Sequence, residues 1–348
     1  MKRVLIFFNY HTNQYCGGIA NIIASYLNKK NDFYCCGYEL DSLNPKLSFS
    51  NNKIVSTLQK LVFFEKEKKA IINHFKKEGI PDCFHIHSSR GWILYNDLNI
   101  VRFVKKKYHI KTILTIHHAV FENILSKNLF FYKREVNIIL KHVDKTILLS
   151  KSICDDFIKI GVPKSKLTLL YTFFDNELQR QPRISENKVL KLLFVGLLDK
   201  SKGVVDLLKA MSIVNNPNIY LSLCGEYSNG NIKTFIEDYL RKNNNVRFLG
   251  YVKGKEKERV FKEADVLVLP SYAEGMPLVI MEALSYGCCI VSTQVGAIPE
   301  IIKNDVNGFL LKPGDIGSLV SILMELYGNR DILTNIQNNN YKKSYKYS

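Results

Sequence analysis

Two glutamates eight residues apart, Glu274 and Glu282, bracket the segment Gly275-Met276-Pro277-Leu278-Val279-Ile280-Met281. Pro277 suits the first position of a helix and Gly275 the turn into it. A helix should therefore start here, with unpaired backbone amides aimed at the carboxyl edge of a sheet. Such an end attracts anions. A carboxylate accepts two hydroxyl donors at once, so each glutamate fits a vicinal diol, as on ribose or a hexose. A diphosphate held between two diols describes a nucleotide sugar. The same pair is also an N-terminal-turn glutamate favoured by the helix dipole followed by a solvated mid-helix glutamate, and spacing by itself favours that plainer reading.

Other groups could join such a site. Gly196-Leu197-Leu198-Asp199-Lys200-Ser201-Lys202-Gly203 follows an apolar strand, and Lys202 is either a phosphate-neutralising cation or a surface lysine ahead of a helix. All eight histidines lie at or before position 142. His85 and His87 share one strand face by the period of two and His117 ends the next strand, so this H-x-H with a third histidine could bind zinc. Against zinc, no Asp, Glu or Cys stands at metal spacing nearby. Ser88-Ser89-Arg90-Gly91-Trp92 follows His87 where α/β sites form. Ser89 and Arg90 there could hold an acceptor phosphate, or belong to a loop with a capping serine. Cys16-Gly17-Gly18-Ile19 lets backbone approach phosphate or sugar, but departs from the G-x-G-x-x-G of dinucleotide dehydrogenases.

Five blocks in order carry a resemblance. They are Asn245-Val246-Arg247-Phe248-Leu249-Gly250-Tyr251, Ala264-Asp265-Val266, the Glu274 to Glu282 segment, Val295-Gly296-Ala297-Ile298-Pro299-Glu300 and Asn307-Gly308. Together they resemble the E-x7-E region of the retaining glycosyltransferases of family 4, also called glycosyl transferases group 1, over roughly residues 190–315. The resemblance implies that Glu282 holds the donor ribose and Glu274 the donor sugar near the reacting carbon. Backbone from Gly275 through Met276 and Pro277 to Leu278 would take phosphate or sugar oxygens. Residues 194–203 resemble the family's phosphate clamp, with Lys202 at its lysine and Leu197 where an arginine is expected. Gly17, Gly18, Gly196 and Tyr251 complete the implied donor contacts. His117 becomes the histidine that meets the donor sugar, leaving His85 packed in its strand and His87, Ser89 and Arg90 towards the acceptor. The implied catalytic set is His117, Glu274 and Lys202.

The activity so implied is retaining transfer of a hexose or N-acetylhexosamine from a nucleotide-diphosphate sugar, a UDP-sugar first. The acceptor is a glycan or a lipid-linked intermediate in surface polysaccharide synthesis, such as lipopolysaccharide or capsule. The acceptor hydroxyl attacks from the face the phosphate leaves, and the departing β-phosphate can take its proton. No metal and no other cofactor is then needed. A nucleotide-sugar epimerase or phosphorylase of the same two-domain fold, or a polyanion-binding protein, are the alternatives.

These groups need elements to position them. Apolar runs rich in Val, Ile and Leu predict parallel strands at 4–8, 84–87, 112–117, 146–150, 167–173, 190–196, 219–225, 246–250, 265–271 and 289–293, alternating with helical patterns. The class is α/β: two Rossmann-like, doubly wound parallel-sheet domains, which the resemblance sets facing a cleft in the GT-B arrangement. Residues 1–172 form the acceptor-binding domain, 173–189 a polar linker containing Pro182, and 190–325 the donor domain. Residues 326–348 form a C-terminal polar segment, whose end, 338–348, reads as frayed or cut short.

Composition sets the remaining bounds. The 348 residues are 46% hydrophobic and 23% charged, which excludes disordered and fibrous classes. Eight cysteines without C-x-x-C fit a reducing cytosol. No apolar run approaches the roughly 18 residues of a membrane span. The charge is lopsided, with 27 Lys+Arg against 13 Asp+Glu in residues 1–170 and 22 against 19 in the rest. The densest basic stretch is 53–77, where Lys60, Lys66, Lys68, Lys69, Lys76 and Lys77 stand among Leu61, Val62, Phe64, Ile71 and Phe75. It predicts either an amphipathic helix on anionic lipid or a solvated helix face over a core. Nucleic acid is disfavoured, because no nucleic-acid-binding motif accompanies the charge. The expected location is cytoplasmic, peripheral to the inner face of the cytoplasmic membrane.

Overall fold

The computed structural model describes residues 2–8, 33–38, 53–88, 92–117, 129–170 and 189–344. The chain divides into two units, Met1–Leu170 and Tyr171–Ser348. Most of the polar linker expected at 173–189 lies outside the described residues.

In the first unit, β1 (Lys2–Phe8), β2 (Phe33–Tyr38), β3 (Cys83–Ser88), β4 (Lys111–Ile116), β5 (Lys145–Leu148) and β6 (Leu167–Leu169) form one parallel sheet in the order β2-β1-β3-β4-β5-β6. Helices α1 (Lys53–Glu78), α2 (Trp92–Tyr108), α3 (Leu129–His142) and α4 (Lys151–Lys159) alternate with the strands. Phe84, Ile86, Leu98, Val101 and Phe157 lie in its core, fully buried. Ser150 caps α4 by accepting the Ile153 amide.

The second unit holds β7 (Leu190–Val195), α5 (Val204–Val214), β8 (Ile219–Cys224), α6 (Gly230–Lys242), β9 (Val246–Gly250), α7 (Gly254–Glu263) and β10 (Val266–Leu269). These are followed by α8 (Leu278–Ser285), β11 (Cys289–Thr293), α9 (Ile298–Ile301), β12 (Gly308–Leu311), α10 (Ile316–Gly328) and α11 (Arg330–Ser344). Its parallel sheet runs β12-β11-β10-β7-β8-β9. The strand order therefore reverses between β7 and β10. Open α/β sheets bind ligands at such a switch point, outside the carboxyl ends of the strands. β10 and β11 are buried along their whole length, which explains the apolar runs Val266–Leu269 and 289–291.

Three expectations need correction. β2 and β12 were absent from the predicted strands. Phe33–Tyr38 carries cysteines and a glycine rather than a Val/Ile run, and β12 has only four residues. The strand expected over 167–173 ends at Leu169 within the described residues. The tail does not fray over Arg330–Ser344: that stretch is α11, with Leu333, Ile336, Gln337 and Asn340 buried. Asn340 donates to the carbonyls of Cys288 and Asn307, and Gln337 to that of Asp265, so polar side chains dock this helix where apolar ones were sought.

Candidate active site

Two loops meet at the switch point of the second unit. After β7, Asp199 caps a short 3₁₀ turn over Lys200–Lys202, accepting from the Ser201 amide at 2.8 Å and its hydroxyl at 2.6 Å. The Ser201 side chain, with help from Ser228 and the Ser201 amide, holds the Asp199 carboxyl down to about 2. Gly203 ends the turn at φ +73°, where an added Cβ would stand 2.0 Å from the Pro270 carbonyl oxygen. Only glycine lets the loop after β7 lie this close to the end of β10. The Tyr272 amide donates to the Ser201 carbonyl at 2.8 Å and ties the two loops together.

That seam sets the chemistry. Lys202 Nζ lies 2.8 Å from Glu274 Oε1, and the Ser271 hydroxyl donates to the same oxygen at 2.7 Å. Ser271 is fully buried and Glu274 nearly so. The Ser271 carbonyl in turn accepts from Thr293 Oγ1, so β11 braces the loop. Gly296, at φ +56°, backs Glu274 so closely that a Cβ would fall 2.1 Å from the Glu274 carbonyl oxygen. The Ala297 amide donates to the Gly275 carbonyl at 2.9 Å.

The helix begins one residue later than expected. Pro277 is the residue before α8, with ψ 113°, and Leu278 is the first helical one. No side chain caps this start. The Ile280 amide already donates to the Pro277 carbonyl at 3.1 Å, whereas the first amides of the helix, at Leu278 and Val279, have no partner within it and suit an anion. Met276 and Pro277 are buried and Gly275 and Leu278 half-buried along this segment.

Glu282 lies one turn into α8, its side chain 12% exposed, and accepts from Lys257 Nζ at 2.6 Å. Burial holds its carboxyl above the usual range, while Lys257 pulls it back. Lys257, on α7, was not singled out in the sequence, because a contact across 25 positions leaves no local pattern. Gly196 and Tyr251 directly follow β7 and β9 at the same carboxyl edge, Tyr251 being 40% exposed. Leu197 is 48% exposed and brings no charge to the clamp.

In the first unit, β3 and β4 bring three histidines together. His87 Nδ1 and His117 Nε2 are 2.8 Å apart with rings stacked at 5.1 Å, and His85 Nε2 lies 2.7 Å from Thr115 Oγ1. The His117 amide donates to the Ser88 carbonyl at 3.0 Å. Among the described residues, no group of three or more His, Cys, Asp or Glu could hold a metal ion. Burial lowers His85 to about 4 and, with His85 nearby, His117 to about 3. Burial, with both neighbouring histidines, also puts His87 well below its usual value. The His87–His117 contact is therefore a bond between neutral rings, one donating and one accepting. Gly17, Gly18, Ser89 and Arg90 lie outside the described residues.

These rings make stability depend on pH. An unfolded histidine binds its proton near 6.5 and the folded ones far lower, so the unfolded state holds more protons between those values. Stability is then full above about pH 6.5 and falls as pH drops towards 4, by ~1.4 kcal/mol per unit for each group. The melting temperature should drop by at least about 4 °C between pH 7 and pH 5. His85→Gln should flatten part of that slope, and equal wild-type melting temperatures at the two pH values would contradict it.

The family model described as glycosyl transferases group 1 matches residues 175–343, and the one described as glycosyltransferase family 4 matches residues 57–178. An uncharacterized 41.2 kDa protein in the cps region of Klebsiella pneumoniae is 28% identical over 255 residues, 70% of this chain and 68% of that protein. The amylovoran biosynthesis glycosyltransferase AmsK of Erwinia amylovora is 25% identical over 280 residues, 76% of this chain and 66% of its own length. The fold matches that of Anabaena HepE, solved in complex with UDP-glucose, at a TM-score of 0.74 and 17% identity, covering 100% of this chain and 95% of that one. With both family models matched in succession along its length, the chain belongs to the glycosyl transferases group 1, the family 4 glycosyltransferases.

Proposed function

We propose that this glycosyltransferase moves a hexose or N-acetylhexosamine from a UDP-sugar, with retention, to a glycan or lipid-linked acceptor in surface polysaccharide synthesis. The observation that carries the reading is the Lys202–Glu274 pair at the switch point, just before α8, which carries the largely buried Glu282 one turn in. Two carboxylates bracketing a helix start match the two diols and the diphosphate of a nucleotide sugar. The relatives support the polymer class: one is named for amylovoran biosynthesis, another lies in a cps region. HepE, of the same fold, is solved with UDP-glucose.

In this reading Glu282 holds the ribose and Glu274 the donor sugar, while Lys202 and the amides from Gly275 to Leu278 stabilise the charge on the departing diphosphate. The leaving phosphate oxygen takes the acceptor's proton, so the chain supplies orientation rather than a nucleophile. Incubation with UDP-, GDP- and ADP-sugars, acceptor and EDTA tests this. Sugar-dependent UDP release that persists in EDTA is expected, and transfer that vanishes in EDTA and returns with manganese would overturn the metal-free mechanism.

The proposal extends to a membrane surface through α1. No helix among the described residues is long and apolar enough to cross a membrane. Along α1, Leu61 and Val62 are more than half exposed, followed on the outside by Lys66, Lys69, Lys76 and Lys77. Lys68 is different. It bonds Glu65 at 2.8 Å and sits over the rings of Phe64 and Phe103, so it packs against the unit rather than facing outward. Basic residues around exposed apolar ones suit anionic lipid, at ~1 kcal/mol per well-placed lysine. Vesicles with anionic lipid should sediment the protein at low salt, and neutralising Lys66, Lys69 and Lys76 together should release it without changing UDP affinity. Equal sedimentation of wild type and triple variant would contradict the membrane reading.

A further inference from the structure

The donor site, read as above, is short of positive charge. A nucleotide sugar brings about two negative charges, one on each phosphate. It meets two further carboxylates, Glu274 and Glu282. Of the two cations expected to grip the diphosphate, one is replaced by Leu197, half exposed and uncharged, and the other, Lys202, is bonded to Glu274.

A second lysine has the matching arrangement on the other glutamate. Lys257 stands in the first half of α7, its side chain only 24% exposed, with Nζ 2.6 Å from Glu282 Oε1. Other nearby cations are committed or turned out. Arg259, on the same helix, bonds Glu263 at 3.3 Å, Arg247 spans Ser222 and Glu263, and Lys200 is exposed on its turn. Each carboxylate that would serve a diol thus carries its own lysine. An ammonium on a four-carbon stem can change partners by rotating a few bonds, which a planar guanidinium does less readily.

We propose that Lys257 is the second phosphate-binding cation of the donor site: as ribose hydroxyls take Glu282, its ammonium turns from the carboxylate to the adjacent phosphate. The inference rests on the donor-site reading and adds to it a residue from α7. It predicts that Lys257 matters in proportion to the phosphates on the ligand. A lysine serving only to neutralise Glu282 would affect nucleoside and nucleotide alike.

The test is calorimetric titration with UDP, UMP and uridine, with GDP and ADP and their shorter forms alongside. Lys257→Gln can still donate a hydrogen bond to Glu282 but carries no charge, and Lys257→Arg keeps the charge. In Lys257→Gln the affinity for the diphosphate should fall by about tenfold or more, that for the monophosphate less, and that for the nucleoside by under about threefold. Lys257→Arg should stay within about threefold of wild type for all three. Equal losses for the three ligands, or none, would overturn the role of Lys257 while leaving the donor site standing. A wild type that binds none of the diphosphates would overturn the donor-site reading and this inference with it.

Discussion

Glu274→Gln should lower sugar transfer by about a hundredfold or more while nucleotide affinity stays within about threefold of wild type. Glutamine fits the same space and can still accept from the Ser271 hydroxyl, which now reaches Glu274 Oε1 at 2.7 Å. It cannot hold Lys202 as an ion pair, nor accept with both terminal atoms from two sugar hydroxyls. Its predicted place is at the donor sugar, not the nucleotide, so the loss falls on kcat rather than on UDP binding. Steady-state kinetics beside calorimetry with UDP separates the two. Transfer within tenfold of wild type would remove Glu274 from the reaction.

The second large effect comes from a residue with no side chain. Gly296→Ala would place a methyl group 2.1 Å from the Glu274 carbonyl oxygen and 2.7 Å from that of Gly275, in a φ +56° conformation that alanine disfavours. The loop carrying Glu274 must move. The strain alone is ~1–3 kcal/mol, and the clash with backbone adds to it. The expected result is a melting temperature lower by several degrees together with at least about tenfold weaker UDP binding. Gly230→Ala, where an added Cβ meets nothing within 4 Å, is the control and should leave UDP affinity unchanged. Unaltered melting and binding in Gly296→Ala would show that the loop after β11 does not brace the site.

Much of this was legible in the sequence because the physics is local. Buried strands such as Val266–Leu269 declare themselves by unbroken apolar runs. The basic helix over 53–77 is present as Lys53–Glu78 because apolar residues recur at helical spacing beneath its lysines. Glu274 and Glu282 stood out by their spacing around glycine and proline; Glu274 lies in the loop after β10 and Glu282 one turn into α8. What escaped depends on contacts distant in sequence. Lys257 reaches Glu282 from another helix, Asn340 docks α11 through backbone carbonyls 33 and 52 positions away, and Lys68 turns inward onto Phe103. β2 was missed because Phe33–Tyr38, although six residues long, holds aromatics, cysteines and a glycine in place of a Val/Ile run.

The central claim is that the second unit binds a nucleoside diphosphate with Glu282 on its ribose. Replacing a carboxylate that accepts hydroxyl hydrogen bonds removes charge-assisted bonds of roughly 1.5–3 kcal/mol. Isothermal titration of UDP into wild type and Glu282→Ala, each shown by its melting curve to be folded, tests this most directly. The account predicts saturable wild-type binding, weakened at least about tenfold in Glu282→Ala. Equal UDP affinity in the two proteins would contradict it.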